Sequence, residues 1–304
     1  GNPNVGKSSL FNALTGARVR VGNYPGITVE RRSGIVAYPE GRGSYELVDI
    51  PGTYSLAARS SEEQIALAAI LESSDTPRVV IAVVDAGQLS RCLYLVAQLI
   101  ELRVPLVVAL NMVDEAGDAA PDPALLSQAL GVPVVVTDGR SGHGTAEVTR
   151  EIEKLAQGAT QRPLFHVRYE ESLLRDVDAV AEALPAEQRG SVERNRALAI
   201  WALTSLEDHD ELSAIDPALR ARVNQIHASG RDFDLEVVTT RYRAIDELVT
   251  RLALGDNKER ARAIDRVDRI ALHPVWGVLC FLLTMGFIFQ ALFSWADPAI
   301  GVIE

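Results

Sequence analysis

The first nine residues of the chain match the phosphate-binding pattern G-x-x-x-x-G-K-[ST] without a gap: Gly1, Asn2, Pro3, Asn4, Val5, Gly6, Lys7, Ser8 and Ser9. Such a loop joins a buried strand to a helix, so it requires an α/β fold, and we expect a preceding strand that is missing from this sequence. Lys7 can place its ammonium between the β- and γ-phosphates, and Ser8 can offer its hydroxyl to Mg²⁺. We therefore expect these residues to bind a nucleotide.

Strand-like and helix-like patterns alternate up to residue 162. Apolar runs predict buried strands at 46–50, 79–85, 106–111 and 132–137, and helical periodicity predicts helices at 61–71 and 89–102. The segments 31–37 and 44–50, joined by a glycine-containing turn at 41–43, predict a hairpin that adds one antiparallel edge. Residues 1–162 are thus predicted to form an α/β domain around a mostly parallel sheet.

Helical patterns replace strand patterns after residue 162. They cover 170–184, 192–206, 217–229 and 237–254. Residues 163–257 are therefore predicted to form an all-α helical domain.

An uncharged apolar run covers residues 275–295, with Trp276 and Trp295 at its ends. As a helix it is about 30 Å long, enough to cross a bilayer, and a buried core helix is the alternative. The basic residues lie before it (Lys258, Arg260, Arg262, Arg266 and Arg269), whereas Asp297 and Glu304 follow. By the positive-inside bias, residues 258–304 are predicted to be a basic juxtamembrane helix and one transmembrane helix, with the N-terminal domains in the cytoplasm.

The formal net charge of the chain is -11 at pH 7. This charge repels a phosphate backbone over most of the surface, so we expect no nucleic-acid partner.

Two further motifs follow predicted strands. Asp49-Ile50-Pro51-Gly52 places a carboxylate where it can hold Mg²⁺ through water, and the Gly52 amide can approach the γ-phosphate. Asn111-Met112-Val113-Asp114 places a carboxylate that accepts two hydrogen bonds from guanine, a pattern that adenine cannot donate. The three motifs in this order are those of a P-loop GTPase, so GTP or GDP is the expected nucleotide.

The intervening residues resemble those of one family. G-N-x-P-G-x-T-V-E at 22–30, D-x-P-G-T-Y-S-L at 49–56 and H-P-V-W-G at 273–277 are similar to the FeoB-type ferrous iron transporters. The resemblance implies a GTPase whose switch loops couple nucleotide state to a downstream transmembrane region of the same protein. It also implies a bacterial inner membrane, its lipid bilayer as partner, and ferrous iron as the transported ion. A membrane-anchored regulatory or ribosome-assembly GTPase is the alternative.

The resemblance also implies individual roles. Residues 23–30 are switch I and residues 52–63 are switch II. Thr28 in switch I closes on Mg²⁺ and the γ-phosphate, so Ser8, Thr28 and Asp49 form the magnesium set. Lys7, Thr28 and Gly52 form the catalytic set. Asn4 helps to hold K⁺ beside the phosphates, and the alternative is that it caps the loop's own backbone.

The predicted base-binding residues are Asn111, Met112, Asp114, Thr137, Asp138 and Gly139. Met112 stands where the family of GTPases usually has lysine, and Asp138-Gly139 stands where a Ser-Ala pair is usual. A carboxylate at Asp138 is unfavourable near the guanine oxygen unless it points away. Thr53 replaces the water-positioning glutamine of Ras-like enzymes, so we expect slow hydrolysis.

Overall fold

Two three-stranded sheets organise the N-terminal part of the chain. In the computed structural model, the described residues are 1–16, 19–24, 30–38, 43–57, 60–71, 77–206, 216–256 and 276–290. The antiparallel sheet has the order β1-β2-β3, with β1 at Val19–Asn23, β2 at Glu30–Ala37 and β3 at Ser44–Asp49. The parallel sheet has the order β4-β5-β6, with β4 at Val80–Asp85, β5 at Leu106–Asn111 and β6 at Val134–Val136.

The parallel sheet is confirmed, but the hairpin is not a single antiparallel edge on it. Among the described residues, no strand pairing joins β3 to β4, and β1 extends the hairpin into a separate sheet. The start of the chain lies between the two sheets. The Thr53 amide donates to the Gly1 carbonyl at 3.1 Å, and a Cβ on Gly1 would meet the Val83 carbonyl oxygen at 2.4 Å. Gly1 therefore occupies the space between the two sheets.

Helices cover the parallel sheet and connect its strands. They are α1 at Lys7–Thr15, α2 at Ser61–Leu71, α3 at Leu89–Glu101, α4 at Val113–Ala116, α5 at Pro123–Leu130 and α6 at Thr145–Ala156. Strand β5 is completely buried from Leu106 to Leu110, as expected for a parallel strand covered on both faces. The predicted helices at 61–71 and 89–102 are confirmed to within one residue.

The predicted helical region is also confirmed. Its helices are α7 at Glu171–Ala181, α8 at Val192–Ser205, α9 at Pro217–His227 and α10 at Phe233–Asp256. Val177, Val223 and Ile245 are fully buried between them. Asp216 caps α9 by accepting from the Ala218 amide, with Pro217 at the first helical position. Residues 1–252 form one compact unit, and the division at residue 162 stays a prediction.

Hydrogen bonds to the α/β region hold both ends of the segment that leads into the helical region. The Gln161 amide donates to the Leu106 carbonyl at 2.6 Å and accepts from the Leu106 amide at 2.9 Å. The Leu164 amide donates to the Leu130 carbonyl at 3.0 Å. A Cβ on Gly131, whose φ is +72°, would meet the Arg162 carbonyl oxygen at 2.4 Å, so only glycine allows this approach.

A buried charge cluster joins α10 to α3. Arg241 is only 4% exposed, and its guanidinium lies 2.8 Å from Oε2 of Glu101. The Tyr169 hydroxyl donates to Oε1 of the same carboxylate at 2.6 Å. Burial, and then the neighbouring Glu101, raise the pKa of Tyr169, so the phenol keeps its proton. Removing one partner from such a cluster leaves a buried charge uncompensated.

The helix α11 at Trp276–Gln290 covers part of the apolar run. Its side chains Phe281, Leu283 and Phe287 are exposed. Among the residues that the structure describes, no helix combines the length and hydropathy that crossing a bilayer requires. The predicted span at 275–295 extends past the described residues at both ends, and the basic residues before it lie outside them. The transmembrane helix therefore stays a prediction.

Candidate nucleotide-binding site

The phosphate loop leads directly into α1. Gly6 is the N-cap of this helix with a left-handed φ of 82°, and no side chain caps the first turn. The free amides of that turn can therefore bind an anion. Asn4 also has a left-handed φ, 64°, which asparagine tolerates better than most residues. Its side chain is exposed and makes no hydrogen bond within the described part of the chain, so the capping alternative finds no contact here.

Lys7 lies against the end of β3. Its ammonium donates to the Ile50 carbonyl at 2.6 Å and lies 3.8 Å from Oδ1 of Asp49. Burial lowers the pKa of Lys7, and the Asp49 charge opposes this shift.

Asp49 is suited to a divalent cation. Its Oδ1 is buried and has no hydrogen-bond partner among the described residues. Burial raises the pKa of Asp49, while Lys7 opposes the shift. A buried carboxylate oxygen without a partner is costly, and coordination of a hard cation such as Mg²⁺ compensates for it. Together with the Ser8 hydroxyl, this oxygen fits the predicted magnesium set, whereas Thr28 lies outside the described residues.

Tyr24 directly follows β1 and contacts the end of β3. Its hydroxyl donates to the Asp49 carbonyl at 3.0 Å. The role of this side chain is not visible in the sequence, because the contact joins residues that only the antiparallel sheet brings together. Tyr24 therefore holds the start of the predicted switch I against β3.

Gly52 packs directly on the phosphate loop. A Cβ at this position would lie 3.0 Å from Cα of Pro3, so a larger residue would displace the loop. The next residue, Thr53, is buried, and its hydroxyl donates to the Ser55 carbonyl. The Thr53 hydroxyl is therefore held within its own turn, and the slow hydrolysis stays a prediction.

Asn111 ties the guanine motif to the phosphate loop. Its buried amide donates to the Val5 carbonyl at 2.9 Å. A Cβ on Gly6 would come within 2.1 Å of that amide nitrogen. Asn111 was predicted to bind the nucleotide, which stays a prediction, and in this structure its amide positions the phosphate loop.

Met112 and Asp114 form the turn that follows β5. Met112 has a φ of 58°, and its Cε lies 3.9 Å from the Cβ position of Gly6. It therefore extends over the phosphate loop, where a lysine stem usually packs. Asp114 is the second residue of the short helix α4 and is exposed, so its carboxylate is open to a ligand.

The loop 137–139 lies beside the start of α1. The carboxylate of Asp138 accepts hydrogen bonds from the Arg140 amide at 2.8 Å and the Ser141 amide at 3.3 Å. The Ser141 side chain and then the Arg140 amide lower the pKa of Asp138. The charge is thus directed into its own turn, which relieves the conflict with the guanine oxygen.

The other two residues of this loop are fixed by the backbone. The Thr137 amide donates to the Leu110 carbonyl at 2.8 Å. A Cβ on Gly139 would meet the Leu10 amide at 2.7 Å, so glycine permits the loop to touch α1.

Asp85 lies next to the guanine motif and was not among the predicted residues. It ends β4 directly opposite Asn111 and accepts from the Gly87 amide at 2.8 Å. The signal was present, because Asp49 and Asn111 are likewise polar residues that end apolar strands. Asp85 fixes the turn that leads into α3.

One hydrogen bond from the strand β5 thus holds the phosphate loop, and the carboxylates of Asp49 and Asp114 follow two separate strands. This is the arrangement of a P-loop GTPase. The model of the family described as ferrous iron transport protein B matches residues 1–152. The chain belongs to that family.

Individual relatives agree with this assignment. The Fe(2+) transporter FeoB of Salmonella typhimurium is 36% identical over 95% of this chain and 37% of its own length. The cytosolic domain of L. pneumophila FeoB is 30% identical, with a TM-score of 0.69, over 82% of this chain and 96% of that one. The cytosolic domain of T. maritima FeoB in its GMPPNP form is 29% identical, with a TM-score of 0.68. The match covers 83% of this chain and 96% of that one. The chain spans 37% to 44% of the length of such curated relatives.

Proposed function

We propose that this chain is the cytoplasmic GTP-binding and GTP-hydrolysing part of a ferrous iron transporter. The observation that carries the nucleotide assignment is the hydrogen bond from Asn111 to the Val5 carbonyl, which joins the guanine motif to the phosphate loop. Family membership supports iron as the transported ion. The match to this family also favours transport over a regulatory or ribosome-assembly GTPase.

In the proposed site, Ser8, Thr28 and Asp49 hold Mg²⁺, which offsets phosphate charge when it is bound. Lys7 exchanges the Ile50 carbonyl for the β- and γ-phosphates. The Gly52 amide approaches the γ-phosphate as switch II, near residues 52–63, closes. Because Thr53 does not orient water, backbone groups of the closed switches must do so, and hydrolysis is slow.

The proposed location is the inner membrane of a bacterium, with residues 275–295 as the first span. Two observations support this. The sequence is uncharged and mostly apolar in that range, and the exposed side chains of α11 include Phe281, Leu283 and Phe287. A helix with such an apolar surface is stabilised by lipid or by neighbouring spans of the same protein. The switch loops then couple nucleotide state to the membrane region.

Ser8→Ala and Thr28→Ala are expected to have different effects. Ser8→Ala should weaken both GDP and GTP binding, because magnesium is held in both states. Thr28→Ala should leave GDP affinity nearly unchanged and impair only the GTP-dependent closure of switch I. Titration calorimetry with GDP and a GTP analogue measures this. Equal losses for both nucleotides in Thr28→Ala would contradict the assignment of switch I.

Potassium is expected to stimulate GTP hydrolysis. The exposed amide of Asn4 lies beside the phosphate site, and the chain lacks the usual glutamine. A cation near Asn4 can neutralise charge that develops on the transferring phosphoryl group. Turnover should rise severalfold when Na⁺ is replaced by K⁺ at constant ionic strength. Asn4→Ala should abolish the difference while it retains nucleotide binding. Stimulation that persists in Asn4→Ala would exclude this role.

The whole proposal is tested by metal uptake in cells that express the full-length transporter. The intact protein and Asp114→Asn are compared for uptake of several divalent ions at equal expression. We expect the variant to lose iron uptake and to leave the uptake of other ions unchanged. Uptake of iron that is independent of Asp114 would disconnect the GTPase from transport.

A further inference from the structure

A cavity of about 450 Å³ lies between the end of α3, the extended segment at 165–169 and α8. It is separate from the nucleotide site. Ile100, Phe165 and Ile200 contribute apolar wall, and several charged side chains line the rest. This volume is within the range of small-molecule binding sites.

Most charges of the lining are already compensated. Glu101 is paired with Arg241 at 2.8 Å, and Arg196 forms a two-bond pair with Asp178 at 2.7 and 2.8 Å. The Glu193 carboxylate is hydrogen-bonded at the N-terminus of its own helix. Its backbone amide, and then the Ser191 hydroxyl, lower the pKa of Glu193. Because these charged side chains have close partners, they contribute little net electrostatic field to the cavity.

Arg103 and Arg168 are the exceptions. Both line the cavity and are exposed, and neither guanidinium makes a hydrogen bond or a direct ion pair within the described part of the chain, although the charge of Arg103 acts on Glu193. The chain as a whole carries a net charge of -11, so two guanidinium groups with no hydrogen-bonded acid among the described residues are available to an anion on an acidic protein. Guanidinium groups bind carboxylate, sulfonate and phosphate oxygens with directed hydrogen bonds.

Arg103 is also strained. It follows α3 with a left-handed φ of 57°, its amide donates to the Ile100 carbonyl at 3.0 Å, and the Val104 amide donates to the Leu99 carbonyl at 3.2 Å. Glycine is the usual residue at this position of a helix end. Gly16 and Gly131 take it after α1 and α5, with φ of 58° and 72°. Arg103 therefore carries a side chain at a position where glycine would relieve the backbone strain.

The extended segment adds further donors. Residues 165–169 line the cavity, and the backbone amides of residues 166–169 make no hydrogen bond among the described residues. Unpaired amides beside two arginines favour an anion.

We propose that this cavity binds an organic anion that carries a short apolar body. Arg103 and Arg168 hold the acid group, and Ile100, Phe165 and Ile200 contact the apolar body. Glu101 and Tyr169, which belong to the buried cluster with Arg241, form part of the same wall. The site is distinct from the nucleotide pocket, and its occupancy does not depend on the proposed transport function.

The test uses 1-hexanesulfonate as the probe and titration calorimetry of the whole chain in excess GDP and Mg²⁺. GDP fills the phosphate loop, so that the probe reports on the second site. We expect saturable binding of one probe per chain. Sulfate supplies only the acid group of the probe, and hexanol supplies only its apolar chain. Each should therefore bind at least tenfold more weakly than the probe. Absence of saturable binding, or displacement of the probe by added GDP, would overturn the proposal.

Variants then identify the residues. Arg103→Gly removes the guanidinium and relieves the left-handed strain, so the melting temperature should be retained or raised while probe affinity falls at least tenfold. Arg168→Ala should also lower probe affinity tenfold. Arg103→Lys should keep part of the binding. Arg150→Ala removes an exposed arginine of α6 that pairs with Glu147, and it is the matched control with unchanged affinity. Parental affinity in both Arg103→Gly and Arg168→Ala would refute the assignment.

Discussion

Asp114→Asn is expected to weaken GTP binding by roughly 100-fold or more and to let xanthosine triphosphate bind in its place. The carboxylate accepts two charge-assisted hydrogen bonds from guanine, each worth about 1.5 to 3 kcal/mol, and every 1.4 kcal/mol is about a factor of ten in Kd. An asparagine amide offers one acceptor and one donor, which matches xanthine and mispairs with guanine. Titration calorimetry with both nucleotides measures the exchange.

The matched control for this change is Glu115→Gln. Glu115 is the next residue of α4 and is also exposed, so it reports on loss of a charge without loss of base recognition. We expect its GTP affinity to stay within about twofold of the parent, because surface charges contribute little at a distance. If Asp114→Asn bound GTP as tightly as Glu115→Gln does, the guanine assignment would fail.

Gly6→Ala is expected to abolish nucleotide binding and to destabilise the fold. A Cβ at Gly6 would lie 2.1 Å from the Asn111 amide nitrogen, and the φ of 82° is unfavourable for alanine. The change must therefore either break the hydrogen bond to Val5 or move the phosphate loop. We expect a loss of about 2 to 4 kcal/mol in unfolding free energy, from strain and an unpaired buried carbonyl. Urea unfolding and GDP titration measure both effects.

Gly16→Ala is the control for backbone strain. Gly16 ends the same helix with a φ of 58°, and a Cβ there would meet nothing within 4 Å. The difference between the two variants isolates the contact with Asn111. Gly16→Ala should cost about 1 kcal/mol and leave GDP affinity unchanged. Similar losses in both variants would show that left-handed strain alone is responsible.

The sequence predicted the parts of the site that lie within single motifs. The phosphate loop, the carboxylate after β3 and the turn after β5 all depend on local spacing, and the helices depend on local periodicity. The hairpin was found for the same reason, since its two strands are near neighbours in the chain.

Contacts between distant residues could not be predicted in this way. Asn111 reaches Val5 across more than a hundred residues, and its spacing does not reveal which way its amide points. Arg241 resembles a surface residue in a helical pattern, and only the packing of α10 on α3 shows that it is buried with Glu101. The strand β1 was not predicted because its last two residues belong to the G-N-x-P-G motif and because it pairs only with β2.

The buried strand β5 connects the nucleotide site to the helical region. It begins at Leu106, which Gln161 holds through two hydrogen bonds, and it ends at Asn111, which holds the phosphate loop. About 17 Å of fully buried strand therefore separates nucleotide recognition from the entry into the helices. Because the connection at 161–164 is also fixed to Leu130, it cannot act as a free hinge. Nucleotide recognition and the entry into the helices are therefore linked by one buried strand and not by a flexible loop.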